Sequence, residues 1–131
     1  MRGADITQES LFTTVHLESF VPKKHPLREL RILFNQALKR INGVLDGAYS
    51  EYGKASIPPE RLLRALLLQV LYSIRSERQV VEQLHYNLLY RWFVGLSIDD
   101  EVWDHSTFTK NRDRLLDHQI IEQLFSEVVE L

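Results

Sequence analysis

The stretch PPERLLRALLLQVLYSIR, from Pro58 to Arg75, decides the fold. Its apolar residues recur at spacings of three and four residues, which is the period of an α-helix. Pro58 and Pro59 suit the first turn of a helix, and Glu60 favours its positive end. These apolar residues cover most of the helix circumference: Leu62, Leu63, Ala65, Leu66, Leu67, Leu68, Val70, Leu71 and Ile74. We therefore predict a central helix over residues 58–75, against which the other elements pack.

The composition sets the class of protein around this helix. A chain of 131 residues has room for one domain. With 44% hydrophobic and 26% charged residues, 5 Gly and 4 Pro, it is too apolar for a disordered segment and too poor in Gly and Pro for a fibrous one. The absence of cysteine excludes disulfides, thiolate zinc sites and a cysteine nucleophile. We predict an all-α, compact helical domain.

Charge and hydropathy restrict partners and location only weakly. The formal net charge is −2, yet every Lys and Arg except Arg2 lies between Lys23 and Arg114, so both ends are acidic. This central excess of positive charge is compatible with nucleic acid and does not demonstrate it. Neither a signal peptide at the start of the chain nor an apolar run long enough to span a bilayer is present, so we expect no membrane association and a cytoplasmic protein.

The N-terminal half predicts an arm and a first long helix. Residues 11–22 are rich in Thr, Val and Phe, which favours an extended arm that ends at Pro22. Apolar residues then recur from Leu27 to Ile41, with Pro26 in the first turn and Gly43 as the stop. Residues 44–57 show no sustained period and predict a loop. We thus divide the chain into an N-terminal arm, 1–22, and a helical domain, 23–131.

Helix boundaries are marked more clearly in the C-terminal half. Ser76 followed by Gln79 is a capping-box pattern and opens a segment that Gly95 closes. Asn87 lies where this segment could divide, and the pattern leaves open whether it forms one helix or two. Asp104 or Ser106 can cap a helix from Thr107 to about residue 117. A last helix is predicted over residues 119–131.

Residues 104–116 contain the strongest candidate for nucleic-acid recognition. Thr107, Lys110, Asn111 and Arg114 fall at i, i+3, i+4 and i+7 on a helix, so they form one polar stripe. Phe108 and Leu115 can then face the core. Arg pairs with guanine and Asn with adenine, whereas Thr and Lys contact either bases or phosphates. The alternative is an ordinary solvated helix face.

Four arginines are candidates for contacts with the DNA backbone on the flanks of this stripe. They are Arg75, Arg78, Arg91 and Arg112. The alternative for these cations is surface pairing, for instance Arg78 with Glu82. We interpret the aromatic residues Trp92, Phe93 and Trp103 as core.

No catalytic residues can be identified from the residue pattern. An acidic loop, residues 99–104, followed by His105 admits a metal site. Consecutive acids point in different directions, however, and one of them already serves as a helix cap, so we predict no metal here. No Ser/His/Asp set or Gly-rich phosphate loop is present in a recognisable spacing.

Five motifs occur in one order along the chain: VPKKHPLR (21–28), PPERLLRALLL (58–68), YSIRSERQ (72–79), NLLYRWFVGL (87–96) and STFTKNR (106–112). Over residues 11–116 the chain resembles the N-terminal domain of bacterial insertion-sequence transposases of the DDE type. This resemblance implies a helical domain with a helix-turn-helix-like arrangement that binds the terminal inverted repeats in DNA transposition. It also favours the recognition-helix interpretation of residues 106–116.

The resemblance further implies a ribonuclease-H-like domain that follows and holds two divalent metals, magnesium by expectation, on three acids. We expect this catalytic domain to be missing from the chain, so no acid here is assigned as catalytic and no cofactor is expected. The partner is then double-stranded DNA, with the protein on the nucleoid when bound. The main alternative is a helical interaction module that forms a homodimer through its leucine-rich faces and lacks DNA affinity. A complete enzyme of unknown type is a third alternative.

Overall fold

A computed structural model describes residues 2–7, 14–50, 57–117 and 119–130, with the backbone alone at 47–50 and 116–117. Within these ranges the chain is all-helical and contains no strand. The helices are α1 (Leu17–Phe20), α2 (Pro26–Arg40), α3 (Asn42–Ser50), α4 (Pro59–Leu71), α5 (Glu77–Tyr86), α6 (Leu88–Val94), α7 (His105–Asp117) and α8 (Ile120–Glu130). The predicted all-α class is confirmed.

Helix α4 lies at the centre, as its composition predicts. It packs against α5, α6 and α7, while α2 packs against α8 and α1 against α6. The buried face of α4 consists of Leu62, Leu63, Ala65, Leu67 and Leu68. The predicted stripe extended to Val70 and Leu71, but these side chains are 65% and 46% exposed. The buried face of α4 therefore does not include Val70 and Leu71 in its last turn.

The prediction of an extended arm over residues 11–22 is wrong in part, because Leu17–Phe20 forms a short helix. Residues 11–13 lie outside the described ranges. Arg28 explains the compact conformation, since its guanidinium bonds the Glu18 carboxylate and donates to the backbone carbonyls of Glu18 and Val21, both at 2.7 Å. Trp92 Nε1 also donates to Glu18 Oε2 at 2.7 Å. Tertiary contacts thus override the local preference for extended backbone.

The loop predicted for residues 44–57 is also wrong in part, because α3 occupies Asn42–Ser50. Ile41 and Leu45 are both buried, and their four-residue spacing places them on the same side of the chain. Gly43 does not stop a helix, since α2 ends at Arg40 and Gly43 lies in the first turn of α3. Residues 51–56 of the predicted loop lie outside the described ranges.

Residues 77–94 form two helices, which resolves the question that the pattern left open. Asn87 separates them in an extended conformation, and its side chain accepts a hydrogen bond from the Tyr90 N–H at 3.2 Å as the N-cap of α6. The predicted caps are confirmed: Ser76 Oγ accepts from the Gln79 N–H at 3.2 Å, and Gly95 ends α6 in the left-handed region at φ 101°.

The turn between α4 and α5 contains a strained serine. The Ile74 N–H donates to the Gln69 carbonyl at 3.0 Å and the Ser73 N–H to that of Val70 at 3.3 Å, which is the Schellman pattern. This pattern requires left-handed backbone, and Ser73 adopts φ 52°. Glycine takes that conformation without steric cost.

We expect Ser73→Gly to raise the free energy of unfolding by about 0.5 to 1 kcal/mol, because it relieves this strain. The matched control is Ser126→Gly, in the middle of α8, where glycine should lower stability by about 0.5 kcal/mol. Urea denaturation of the two variants checks the opposite signs. A loss of stability in both variants would contradict the assignment of strain to Ser73.

Candidate nucleic-acid interface

Helix α7 carries the predicted recognition stripe, and the structure divides that stripe between core and surface. Phe108, Asn111 and Leu115 are buried, at i, i+3 and i+7, and so form the inward face. The prediction that Phe108 and Leu115 face the core is confirmed. The prediction that Asn111 faces outward is wrong: it is 2% exposed, and its Nδ2 donates to the Thr107 carbonyl at 2.9 Å.

Of the other three stripe residues, only Lys110 is exposed. Thr107 and Arg114 are half-buried on one flank of α7, and the Nη1 atom of Arg114 is buried. The fully exposed face of α7 carries Lys110 between Ser106 and Asp113. This face therefore holds one cation and one acid.

Arg112 joins α7 to α5 rather than projecting into solvent. Its Nη1 forms an ion pair with Glu77 Oε1 at the first turn of α5, and its Nη2 lies 3.3 Å from Asp113 Oδ1. The side chain is half-buried. In this position Arg112 links α7 to α5.

Arg91 is placed in the interior, which contradicts its predicted contact with the DNA backbone. It is 4% exposed, and its guanidinium donates to the carbonyl of Leu84 at 2.8 Å and to that of Ser97 at 2.6 Å. The Asp100 carbonyl is a further acceptor. A guanidinium enclosed by backbone carbonyls in this way has a structural role and does not reach an external phosphate.

Arg78 is exposed in the first turn of α5 and Arg75 is exposed just before this helix, as a DNA-contacting role requires. Arg78 Nη2 lies 3.0 Å from Nε2 of His105, the first residue of α7. The starts of the two helices therefore meet at the surface. We name Arg75, Arg78, His105 and Lys110 the basic edge.

Beside the predicted Arg78, the outward face of α5 carries polar residues that the sequence interpretation missed. Val80, Val81 and Leu84 are buried, so Arg78, Gln79, Glu82, Gln83 and Tyr86 lie on the opposite, exposed side. Helical periodicity measured from the three apolar residues would have identified this face. Gln83 Oε1 accepts a hydrogen bond from Asn87 Nδ2 at 3.3 Å.

The acidic loop serves as helix and turn caps. The Ser97 N–H donates to Asp100 Oδ2 at 2.8 Å, and the Thr107 N–H donates to Asp104 Oδ1 at 2.7 Å. These backbone hydrogen bonds lower the pKa of both carboxyl groups. Within the described ranges, no group of three or more His, Cys, Asp and Glu side chains is placed to hold a metal ion.

The aromatic residues interpreted as core are confirmed in that position. Phe93 is fully buried and Trp92 nearly so, while Trp103 packs against the core with its ring stacked on Phe108 at 6.1 Å between centroids.

In the part of the chain that the structure describes, no helix has both the length and the hydropathy of a membrane span.

Comparison with known proteins gives one match. Residues 15–114 match the family model described as a transposase domain (DUF772). No curated protein and no solved structure matches the chain. Since the matched segment includes the helices from α1 to α6 and most of α7, the chain belongs to this family of transposase domains.

Proposed function

We propose that this transposase domain binds double-stranded DNA at the terminal inverted repeats of the element that encodes it. The observation that carries the proposal is the basic edge, because Arg75 and Arg78 are exposed beside the start of α7 and Lys110 is exposed on α7 itself. Family membership supports the choice of DNA as the partner. DNA presents a dense array of phosphates, and exposed Lys and Arg side chains are the groups that neutralise them.

Several acids near this edge are already bonded to other groups of the protein. Glu77, the acid nearest in sequence, is paired with Arg112 and half-buried. Asp104 accepts from the Thr107 N–H at 2.7 Å, Asp113 lies 3.3 Å from Arg112 Nη2, and Glu82 is exposed on α5. Arg75, Arg78 and Lys110 are the exposed cations that this edge offers to DNA phosphates, although the whole chain carries a net charge of −2.

We expect the triple variant Arg75→Ala, Arg78→Ala and Lys110→Ala to bind DNA with a shallower salt dependence. Each neutralised phosphate contributes about 0.9 to the slope of log affinity against log salt, so the loss of two or three such contacts should lower the slope by roughly 2 to 3. Fluorescence anisotropy with a labelled terminal-repeat duplex, over a salt series, measures it. Lys39→Ala, an exposed lysine on α2, is the control and should leave the slope unchanged. An unaltered slope in a folded triple variant would refute the basic edge as the phosphate-binding surface.

A second candidate function is self-association, favoured by the apolar end of α4. Val70, Leu71 and Tyr72 are consecutive, and each is at least 44% exposed. Exposed apolar groups of this kind often mark protein interfaces. Sedimentation over a range of protein concentrations distinguishes the functions: a dimer that forms without DNA and has no affinity for the terminal repeat would support this candidate and exclude the first.

A further inference from the structure

We infer that α5, not α7, is the helix that reads base sequence in the DNA major groove. The inference rests on the proposed DNA-binding function and concerns which side chains of the domain confer sequence preference. It is carried by the difference between the outward faces of the two helices.

Among the side chains described on α7, those with an amide or a guanidinium are buried or half-buried: Asn111, Arg112 and Arg114. Its asparagine, Asn111, is buried against the Thr107 carbonyl, and Arg112 is held by Glu77. Its exposed face offers Ser106, Lys110 and Asp113. Lys110 suits a phosphate contact, which positions a protein on DNA without reading sequence.

Helix α5 exposes the residue types that bind base edges in the major groove. Arg78 can form a bidentate pair with guanine, Gln79 with adenine, and Glu82 can accept from cytosine. Because 78, 79 and 82 lie within about 100° on a helix of 3.6 residues per turn, these side chains project from one face. Arg75, just before the helix, supplies a cation at the edge of that face.

The connection to α4 also resembles that of a DNA-reading helix. Only Ser73, Ile74 and Arg75 separate the C-cap Tyr72 from the N-cap Ser76, which is the short connection of helix-turn-helix motifs. In such motifs the second helix enters the groove with its N-terminal residues at the bases. Arg78 and Gln79 are at that end of α5, and the ion pair between Glu77 and Arg112 holds this end on α7.

The test compares the full chain on two labelled duplexes, one with the terminal repeat and one with the same bases shuffled. We expect Gln79→Ala to weaken binding to the repeat by about 5- to 150-fold, the cost of one lost bidentate base contact. Affinity for the shuffled duplex and the salt slope should stay unchanged, because glutamine is uncharged. Gln36→Ala, an exposed glutamine on α2, is the matched control and should bind both duplexes as the unsubstituted protein does.

Two further measurements separate base reading from a general loss of binding. Arg78→Lys keeps the charge and removes the planar fork, so it should reduce the preference for the repeat without lowering the salt slope. Replacing each adenine in turn by 7-deazaadenine, which lacks the N7 acceptor, should reveal a position that weakens binding of the unsubstituted protein but not of Gln79→Ala.

The outcomes distinguish this inference from the proposed function. If the unsubstituted protein binds both duplexes equally, the proposed function fails and the inference fails with it. If it prefers the repeat while Gln79→Ala and Arg78→Lys retain that preference in full, the proposed function stands and α5 is excluded as the reading helix. A loss of preference in Ser106→Ala, on the exposed face of α7, with none in the α5 variants, would return the role to α7.

Discussion

Replacing Leu68 by Ala is expected to lower the free energy of unfolding by about 2 to 5 kcal/mol. Leu68 lies on α4 with its side chain fully buried. Its truncation removes apolar surface from the core and leaves a cavity among helices that pack on α4 from several sides, so the site cannot collapse easily. Chemical denaturation, followed by the helical circular dichroism signal at 222 nm, measures this loss of unfolding free energy.

Leu71→Ala is the matched control, since it makes the same chemical change one turn further along the same helix. Leu71 is 46% exposed, so its truncation should cost less than about 1 kcal/mol. The sequence pattern places Leu67 and Leu71 in the same apolar stripe, and the structure separates the two because Leu67 is buried. Equal losses in Leu68→Ala and Leu71→Ala would show that the last turn of α4 is covered.

The position of α4 was predictable because its signal is strong and redundant. Prolines at the start and apolar residues at helical spacing agree with one another, and the observed helix, Pro59–Leu71, lies within the predicted range. The direction of its buried face was not predictable from the same residues. When apolar side chains cover most of a helix, periodicity cannot choose between Leu68 and Leu71, and the neighbouring helices decide.

The candidate site was predicted less well, for a physical reason that Asn111 illustrates. Sequence analysis assigns polar residues to the surface, because an unsatisfied buried amide is costly. At Asn111 the Thr107 carbonyl, one turn earlier, accepts from the amide, so the buried position is tolerated. The Thr107 carbonyl is close in sequence, but Asn111 turns inward only because the burial of Phe108 and Leu115 sets the orientation of α7.

Arg75 and Arg78 were predicted to be surface cations and are exposed, whereas Arg91 was predicted alike and is buried. All are arginines in helical or turn segments, and the residue type carries no information on this difference. Arg91 differs from the other two in its neighbours, because it lies in α6 between the buried residues Tyr90 and Trp92. Every residue of α6 from Tyr90 to Val94 is buried. An arginine within a short apolar helix therefore indicates a guanidinium that bonds to backbone carbonyls of its own domain.

Substitution of Arg91 by Ala is expected to destabilise the domain by about 3 kcal/mol or more. The Leu84 carbonyl is a buried acceptor, and without its donor it costs about 1 to 3 kcal/mol. The loss of the charged hydrogen bonds to the part-buried carbonyls of Ser97 and Asp100 adds to this cost. The Leu84 carbonyl belongs to the last turn of α5, where it has no partner within the helix. Arg91 thus caps α5 and holds the loop that follows α6 against it.

Arg91→Lys tests this geometry, because lysine retains the charge but cannot reach separate carbonyls with a planar fork. We expect it to recover only part of the lost stability in thermal denaturation, while Arg75→Ala, on the surface, stays within about 0.5 kcal/mol of the unsubstituted protein. The same Lys variant, below its melting transition, should show an unchanged salt slope for DNA binding, since Arg91 faces no external phosphate. A stable Arg91→Ala protein whose salt slope falls would instead assign Arg91 to the DNA-binding surface and require α6 to turn its polar side chain outward.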